Sequence, residues 1–121
     1  MTNKHFKELT KVILSEIAKT RDAGQEEYAH DREDVFANFK RVAGTLGIEK
    51  EKVLLTYLLK HIDGIVSYVN GHESQREDVT GRITDVIVYS MLLWGMVQEK
   101  KFKEGSEIIS YEYQTTGENV V

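Results

Sequence analysis

Residues 70–85, NGHESQREDVTGRITD, hold the densest group of ionisable side chains in the sequence. Its members are His72, Glu73, Arg76, Glu77, Asp78, Arg82 and Asp85. They lead directly into VIVYSMLLWGMV, the most apolar stretch of the chain. A helix N-terminus beside arginine forks is able to bind an anion, whereas a carboxylate at the same position can simply cap the helix. The segment is therefore either a solvated helix entrance or the rim of a polar binding site.

One stripe of residues along the predicted fourth helix favours the second interpretation, a polar binding site. At the spacing i, i+4, i+7, i+11 it carries Asp78, Arg82, Asp85 and Tyr89, which share one face of a helix. The stripe then continues through Leu92 and Met96. A solvated stripe would stay polar to its end, so its far half is predicted to be buried, with Asp85 at the boundary.

A carboxylate at such a boundary needs a partner. Arg82 lies three residues away, and Lys60 or His61 on the preceding helix could reach Asp85 across a hairpin. An internal ion pair and a ligand-binding role remain compatible. His61 itself lies on an apolar helix face, where a hydrogen-bonded core histidine is commoner than a ligand. Gly64, one turn further on, would permit either close helix packing or space for a ligand.

The elements that carry these residues are predicted to be helices, because the chain has no proline and its apolar residues recur at helical spacing. The first helix follows Thr2-Asn3 and extends to about residue 21 or further, towards 28. The second spans 35–46 before Gly47, the third 53–69, and the fourth starts at 78 or 79 and ends near 101. The last two should form a long antiparallel hairpin.

The predicted fold class is therefore all-α, a four-helix domain over residues 1–105. Residues 106–121 are predicted to be an extended segment, since EIISYEYQ (107–114) is β-branched and aromatic. A lone strand is unstable, so pairing with a second copy in a homo-oligomer is expected.

Composition narrows the possible functions. The 121 residues carry a net charge of −4, which disfavours binding to long nucleic acid. The chain has no cysteine, which excludes disulfides and thiolate metal sites. The opening MTNKHFKELTK lacks the apolar core of a secretory signal, and the apolar run 86–97 is too short to span a bilayer. A cytoplasmic protein without membrane contact is expected.

Two stretches resemble small phage and prophage proteins of the nucleotide-modification-associated family of unknown function. EDVTGRITDVIVY (77–89) is similar to their last helix, through Glu77, Val79, Ile83, Asp85 and Tyr89. QEEYAHDREDVFANFKRVAGTLG (25–47) is similar to their Tyr-Gly and Asn-Phe motifs, through Tyr28, Asn38, Phe39, Val42 and Ala43, with Ala29 in place of the usual glycine.

These phage proteins in turn distantly resemble all-α nucleoside triphosphate pyrophosphatases of the MazG type. That resemblance implies Mg²⁺ held by a Glu-x-x-Glu pair and a Glu-x-x-Asp pair. Here the second pair reads Arg82-x-x-Asp85, and the first is missing from the central helices. An arginine in place of a carboxylate favours direct phosphate binding over metal-dependent hydrolysis. Residues 74–77 also resemble, over a short span, phage proteins that sequester cyclic-nucleotide immune signals.

The leading hypothesis is a non-catalytic phage or prophage protein of the host bacterial cytoplasm that sequesters or senses a small phosphorylated nucleotide-type ligand between the third and fourth helices. Counteraction of host nucleotide immune signalling is one such role. The candidate ligand-binding residues are Lys60, His61, Arg76, Glu77, Arg82, Asp85 and Tyr89; no catalytic residue, metal ligand or cofactor is assigned. The alternatives are a pyrophosphohydrolase, which alone would need Mg²⁺, and a protein-binding adaptor or inhibitor of a host enzyme.

Overall fold

The computed structural model describes residues 1–28, 33–73 and 76–103. In these ranges the chain forms four α-helices: α1 (Asn3–Tyr28), α2 (Ala37–Leu46), α3 (Lys50–Val69) and α4 (Val79–Lys103). The predicted all-α class is confirmed. The segment 106–121, for which an extended strand is predicted, lies outside the described residues.

The helix ends follow local sequence signals. Gly47 terminates α2 in the left-handed conformation, at a φ of 69°, and its amide donates to the Ala43 carbonyl. This conformation suits glycine because it has no Cβ to clash with the backbone. Asp78 precedes α4 and accepts hydrogen bonds from the amide of Thr80, at 3.2 Å, and from the Thr80 hydroxyl. One of the charged residues in the 70–85 segment is thus a helix cap.

Helices α3 and α4 pack against each other in antiparallel orientation. Lys50, at the start of α3, lies 3.7 Å from the Glu99 carboxylate near the end of α4. Gly64, in the last third of α3, lies against the Arg82 side chain in the first turn of α4. The hairpin predicted from the sequence therefore forms, and it brings residues 61–64 beside residues 82–85.

The core lies where α2 crosses this hairpin. Its buried side chains are Phe36, Phe39, Ala43, Val53, Leu54 and Met96. Met96 is only 1% exposed, which confirms that the stripe through Asp85 and Tyr89 becomes buried at its far end. Helix α1 contributes Ile17 as its buried residue and packs against α4.

Two aromatic residues of α3 and α4 are exposed. Trp94 and Tyr68 are 59% and 51% exposed. Trp94 is half a helical turn away from Met96 and Asp85 on α4, so it faces away from α3 when that stripe is buried. Several apolar residues of α1 are also exposed among the described residues: Phe6, Leu9, Val12, Ile13 and Leu14. None of the described helices combines the length and apolarity needed to cross a bilayer.

Asp34 organises the entry to α2. Its Oδ1 accepts a hydrogen bond from the Phe36 amide at 2.9 Å, and its Oδ2 accepts one from Lys40 Nζ at 2.8 Å. The hydrogen bonds from Lys40 and from the backbone hold the pKa of the Asp34 carboxyl below its ordinary value of 3.8, with a further contribution from the Lys50 charge. Asp34 thus ties the backbone at the start of α2 to a side chain within the helix.

We expect Asp34→Ala to lower the free energy of unfolding at neutral pH by about 1 kcal/mol, as loss of a helix-entry hydrogen bond does. A carboxyl whose pKa is depressed by folding stabilises the protein above its unfolded pKa, and this stabilisation disappears as the pH falls through the folded pKa. Urea denaturation at a series of pH values should therefore show that the wild type has a higher free energy of unfolding than the variant. This advantage should be constant at neutral pH and should shrink below the ordinary pKa of 3.8. An advantage that persists unchanged in acid would contradict this role.

Candidate functional site

His61 on α3 meets two carboxylates near the start of α4. The side chain of His61 is buried, at 7% exposure, and its Nδ1 lies 3.6 Å from Asp85 Oδ2 and 3.8 Å from Glu77 Oε2. The predicted approach of His61 to Asp85 across the hairpin is therefore confirmed. However, Nδ1 has no hydrogen-bond partner among the residues that the structure describes, so at this atom His61 differs from the hydrogen-bonded core histidine expected from its position. Leaving a buried polar atom unpaired costs about 1–3 kcal/mol.

Arg82 lies beside this group and contacts Glu77 rather than Asp85. Its Nη1 is 3.8 Å from Glu77 Oε2, and its side chain is 17% exposed. A Cβ added at Gly64 would come within 2.4–2.7 Å of the Arg82 Nη1, Cδ and Cζ atoms. Gly64 thus gives the Arg82 side chain its place against α3.

Tyr89, one helical turn after Asp85 on α4, stacks on His61. The two ring centroids are 5.7 Å apart and their planes meet at 28°. Tyr57 also stacks on Tyr89, with centroids 6.2 Å apart, and Phe39 meets it edge-on at the same distance. Burial, reinforced by the Asp85 charge, raises the pKa of Tyr89 to about 12, so its hydroxyl stays protonated at neutral pH.

Burial also raises the pKa of the Asp85 carboxyl above its ordinary value. His61 opposes this shift and Glu77 adds to it, while the more distant charges of Lys60 and Arg82 act in the same direction as His61. Asp85 is therefore a carboxylate at the edge of the core whose nearby cations do not fully offset its desolvation.

Asp85 and Tyr89 also line a cavity on the α1 side of α4. The cavity has a volume of about 290 Å³. Its other polar and aromatic wall residues are Thr20, Arg21, Gln25, Glu27, Tyr28, Asn38 and Phe39, and apolar walls come from Val35, Val88 and Leu92. It lies between α1, α2 and α4, rather than in the crevice between α3 and α4 where the sequence predicts a ligand.

The predicted site residues fall into three groups. Asp85 and Tyr89 line the cavity. His61, Glu77 and Arg82 lie together at the α3–α4 contact, on the other side of Asp85. Lys60 and Arg76 are exposed and do not line the cavity.

The cavity residues contributed by α1 and α2 were not predicted as site residues. Arg21 stands at the cavity wall, paired with Asp22 at 3.3 Å, and gives no signal in the sequence that separates it from other surface arginines. Tyr28, Asn38 and Phe39 did carry a signal, because they belong to the stretch over residues 25–47 for which the sequence alone predicts a similarity to phage proteins. Together with Asp85 and Tyr89, they bring residues 25–47 and 77–89 to one cavity.

No protein-family model, curated protein or solved structure matches this chain.

Proposed function

We propose that this protein binds a small nucleotide-type ligand in the cavity between α1, α2 and α4, without hydrolysing it. The observation that carries the proposal is the convergence of Asn38, Phe39, Asp85 and Tyr89 on this one cavity. As a cytoplasmic phage or prophage accessory protein, it would sequester or sense such a ligand.

The wall chemistry suits a heteroaromatic ring with polar edges. Tyr28, which is 55% exposed, and Tyr89 offer aromatic surface, while the Asn38 amide can both donate and accept hydrogen bonds. The Asp85 carboxylate accepts hydrogen bonds from ring or sugar donors. Ligand sites typically combine such an apolar wall with a few convergent polar groups, in volumes of about 300 Å³ and upwards, so about 290 Å³ fits a base or nucleoside and leaves a phosphate at the rim.

We assign that phosphate to Arg21, which would exchange its contact with Asp22 for the ligand. It lines the cavity and is about one third exposed, and a guanidinium can bind phosphate through two parallel hydrogen bonds. In this proposal Arg21 takes the role that the sequence assigns to Arg82, whose side chain instead lies against Gly64 and Glu77.

The test is calorimetric titration of the full chain with nucleosides, mono- and triphosphates and cyclic dinucleotides, in buffer containing EDTA. We expect at least one class to bind, and Asn38→Ala to weaken that binding about tenfold or more, since one lost hydrogen bond to a ligand costs on the order of 1–2 kcal/mol. Asn70→Ala is the matched control, because Asn70 is exposed after α3 and away from the cavity. Its affinity should equal that of the wild type.

Two outcomes would overturn the proposal. One is the lack of binding by every member of the panel; the other is an affinity that Asn38→Ala and Arg21→Ala leave unchanged. Pyrophosphate release from a triphosphate on adding Mg²⁺ or Mn²⁺, abolished by Asp85→Asn, would instead establish the pyrophosphohydrolase.

The exposed apolar side chains of α1 and α4 favour a second candidate, a protein-binding adaptor or a self-associating protein. Val12 and Leu14 of α1 are 57% and 61% exposed, and Trp94 of α4 is 59% exposed. Apolar groups of this kind often mark contact surfaces. Light scattering of the full chain, compared with Leu14→Glu and Trp94→Glu variants, would detect self-association as a loss of mass in the variants. If the wild type is monomeric, the homo-oligomer is excluded, and the proposed partner is a different protein.

A further inference from the structure

The unpartnered nitrogen of His61 points at two acidic oxygens. Nδ1 is buried and makes no hydrogen bond within residues 1–28, 33–73 and 76–103, yet it lies 3.6 Å from Asp85 Oδ2 and 3.8 Å from Glu77 Oε2. Both separations exceed the 2.7–3.2 Å range of a normal N–H···O hydrogen bond. The three groups have thus converged without making direct hydrogen bonds to one another.

These separations suit three ligands around one metal ion. Nitrogen and oxygen ligands lie about 2.0–2.2 Å from Zn²⁺, which places two ligands of a tetrahedral site about 3.4 Å apart. One ligand atom from each of His61, Glu77 and Asp85 lies within 4.8 Å of the other two. Glu77 has the most exposed side chain of the three, at 42%, so it is the one able to move inwards.

We propose that His61 Nδ1 and one carboxylate oxygen each from Glu77 and Asp85 bind a divalent transition-metal ion at the α3–α4 contact. The ion would replace the missing partner of the buried nitrogen. An imidazole ligand favours Zn²⁺, Ni²⁺ or Co²⁺ over Mg²⁺ and Ca²⁺, which prefer ligand sets made entirely of oxygen. Three protein ligands leave at least one coordination position for water or a bound molecule.

The surrounding residues prepare these ligands. Tyr89 stacks on the His61 ring and restricts its orientation. Arg82 lies 3.8 Å from Glu77 Oε2 and offsets part of the carboxylate charge. With a divalent ion bound, the positive charge of the ion and Arg82 together exceeds the negative charge of the two carboxylates by one. Because Asp85 also lines the α1 cavity, this excess charge would favour an anionic ligand there.

The experiment uses the full chain, stripped of metal and free of nucleotide. Titration with Co²⁺ should produce visible d–d absorption bands that saturate at one ion per chain, and Zn²⁺ added afterwards should displace the Co²⁺. Glu77→Gln, Asp85→Asn and His61→Asn should each weaken Co²⁺ binding by about tenfold or more, since even groups that only support metal ligands cost about 10–100-fold when changed.

Matched controls come from the same connection between the helices. Glu73 and His72 are exposed, so Glu73→Gln and His72→Asn make the same chemical changes outside the proposed site and should leave Co²⁺ affinity unchanged. Glu77→Gln alters a side chain near the surface, so it keeps the test decisive even if His61→Asn impairs folding.

Three results would overturn the metal site: no saturable Co²⁺ spectrum from the wild type, wild-type affinity in both Glu77→Gln and Asp85→Asn, or a loss of binding in His72→Asn equal to that in His61→Asn. The nucleotide titration is done in EDTA and the Co²⁺ titration without nucleotide. Failure of either proposal is therefore distinguishable from failure of the other.

Discussion

Replacing Leu54 with alanine is expected to lower the free energy of unfolding by about 2–5 kcal/mol. Leu54 is fully buried, with 0% of its surface exposed, in the core that α2 forms with the α3–α4 hairpin. The substitution removes buried apolar surface and leaves a cavity that close-packed neighbours can only partly fill. Equilibrium urea denaturation, followed by the helical circular dichroism signal, measures the change.

Leu55→Ala is the matched control for this prediction. Leu55 is the next residue of α3, with the same side chain, but it is 44% exposed. Both substitutions change helix propensity equally, so the difference between the two variants isolates burial. Leu55→Ala should cost less than about 1 kcal/mol. Equal losses in the two variants would mean that α3 does not turn its Leu54 face into the core.

The helices themselves were largely predictable from the sequence. Gly47 marked the end of α2 because few other residues adopt its left-handed conformation. The change from polar to apolar residues along the Asp85 stripe predicted the burial of Met96. Both signals are local: each depends on one residue type or on the repeat of one helix.

The exposure of Trp94 was not predictable in the same way. Helix α4 is apolar on two sides, and its sequence does not show which side the other helices cover. Packing of α3 and α2 against the Met96 side decides this, and leaves Trp94 exposed. In helix α1, likewise, apolar residues recur at helical spacing, yet Ile17 is its buried residue.

The candidate site likewise combines features that local sequence predicts with features that only helix packing decides. The contact between His61 and Asp85 followed from pairing two predicted neighbouring helices, and the hairpin geometry confirms it. The cavity required α1 to cross α4, which brings Tyr28 and Asn38 beside residues far away in sequence. No local pattern encodes such a crossing. The direction of the Arg82 side chain depended on the space above Gly64, which is also a property of the packed hairpin.

Tyr89 connects the two proposed sites, and Tyr89→Ala should lower the free energy of unfolding by about 2–4 kcal/mol. The substitution removes a large ring from the core edge and abolishes the ring contacts with His61, Tyr57 and Phe39. Each aromatic contact contributes about 0.5–1.5 kcal/mol beyond the burial of its surface. Urea denaturation measures the loss, and near-ultraviolet circular dichroism should report the changed surroundings of the remaining tyrosines.

Tyr89→Phe separates the ring from the hydroxyl. Phenylalanine preserves the stacking surface, and the hydroxyl that it lacks is neutral at pH 7, because the pKa of Tyr89 is raised to about 12. No charge is therefore lost, and the cost should stay below about 1.5 kcal/mol, the scale of one hydrogen bond. A loss as large as that of Tyr89→Ala would mean that the hydroxyl, rather than the stacked ring, stabilises this region. If Tyr89→Phe keeps its stability but binds nucleotide more weakly, the hydroxyl contacts the ligand, and the ring holds the wall of the cavity in place.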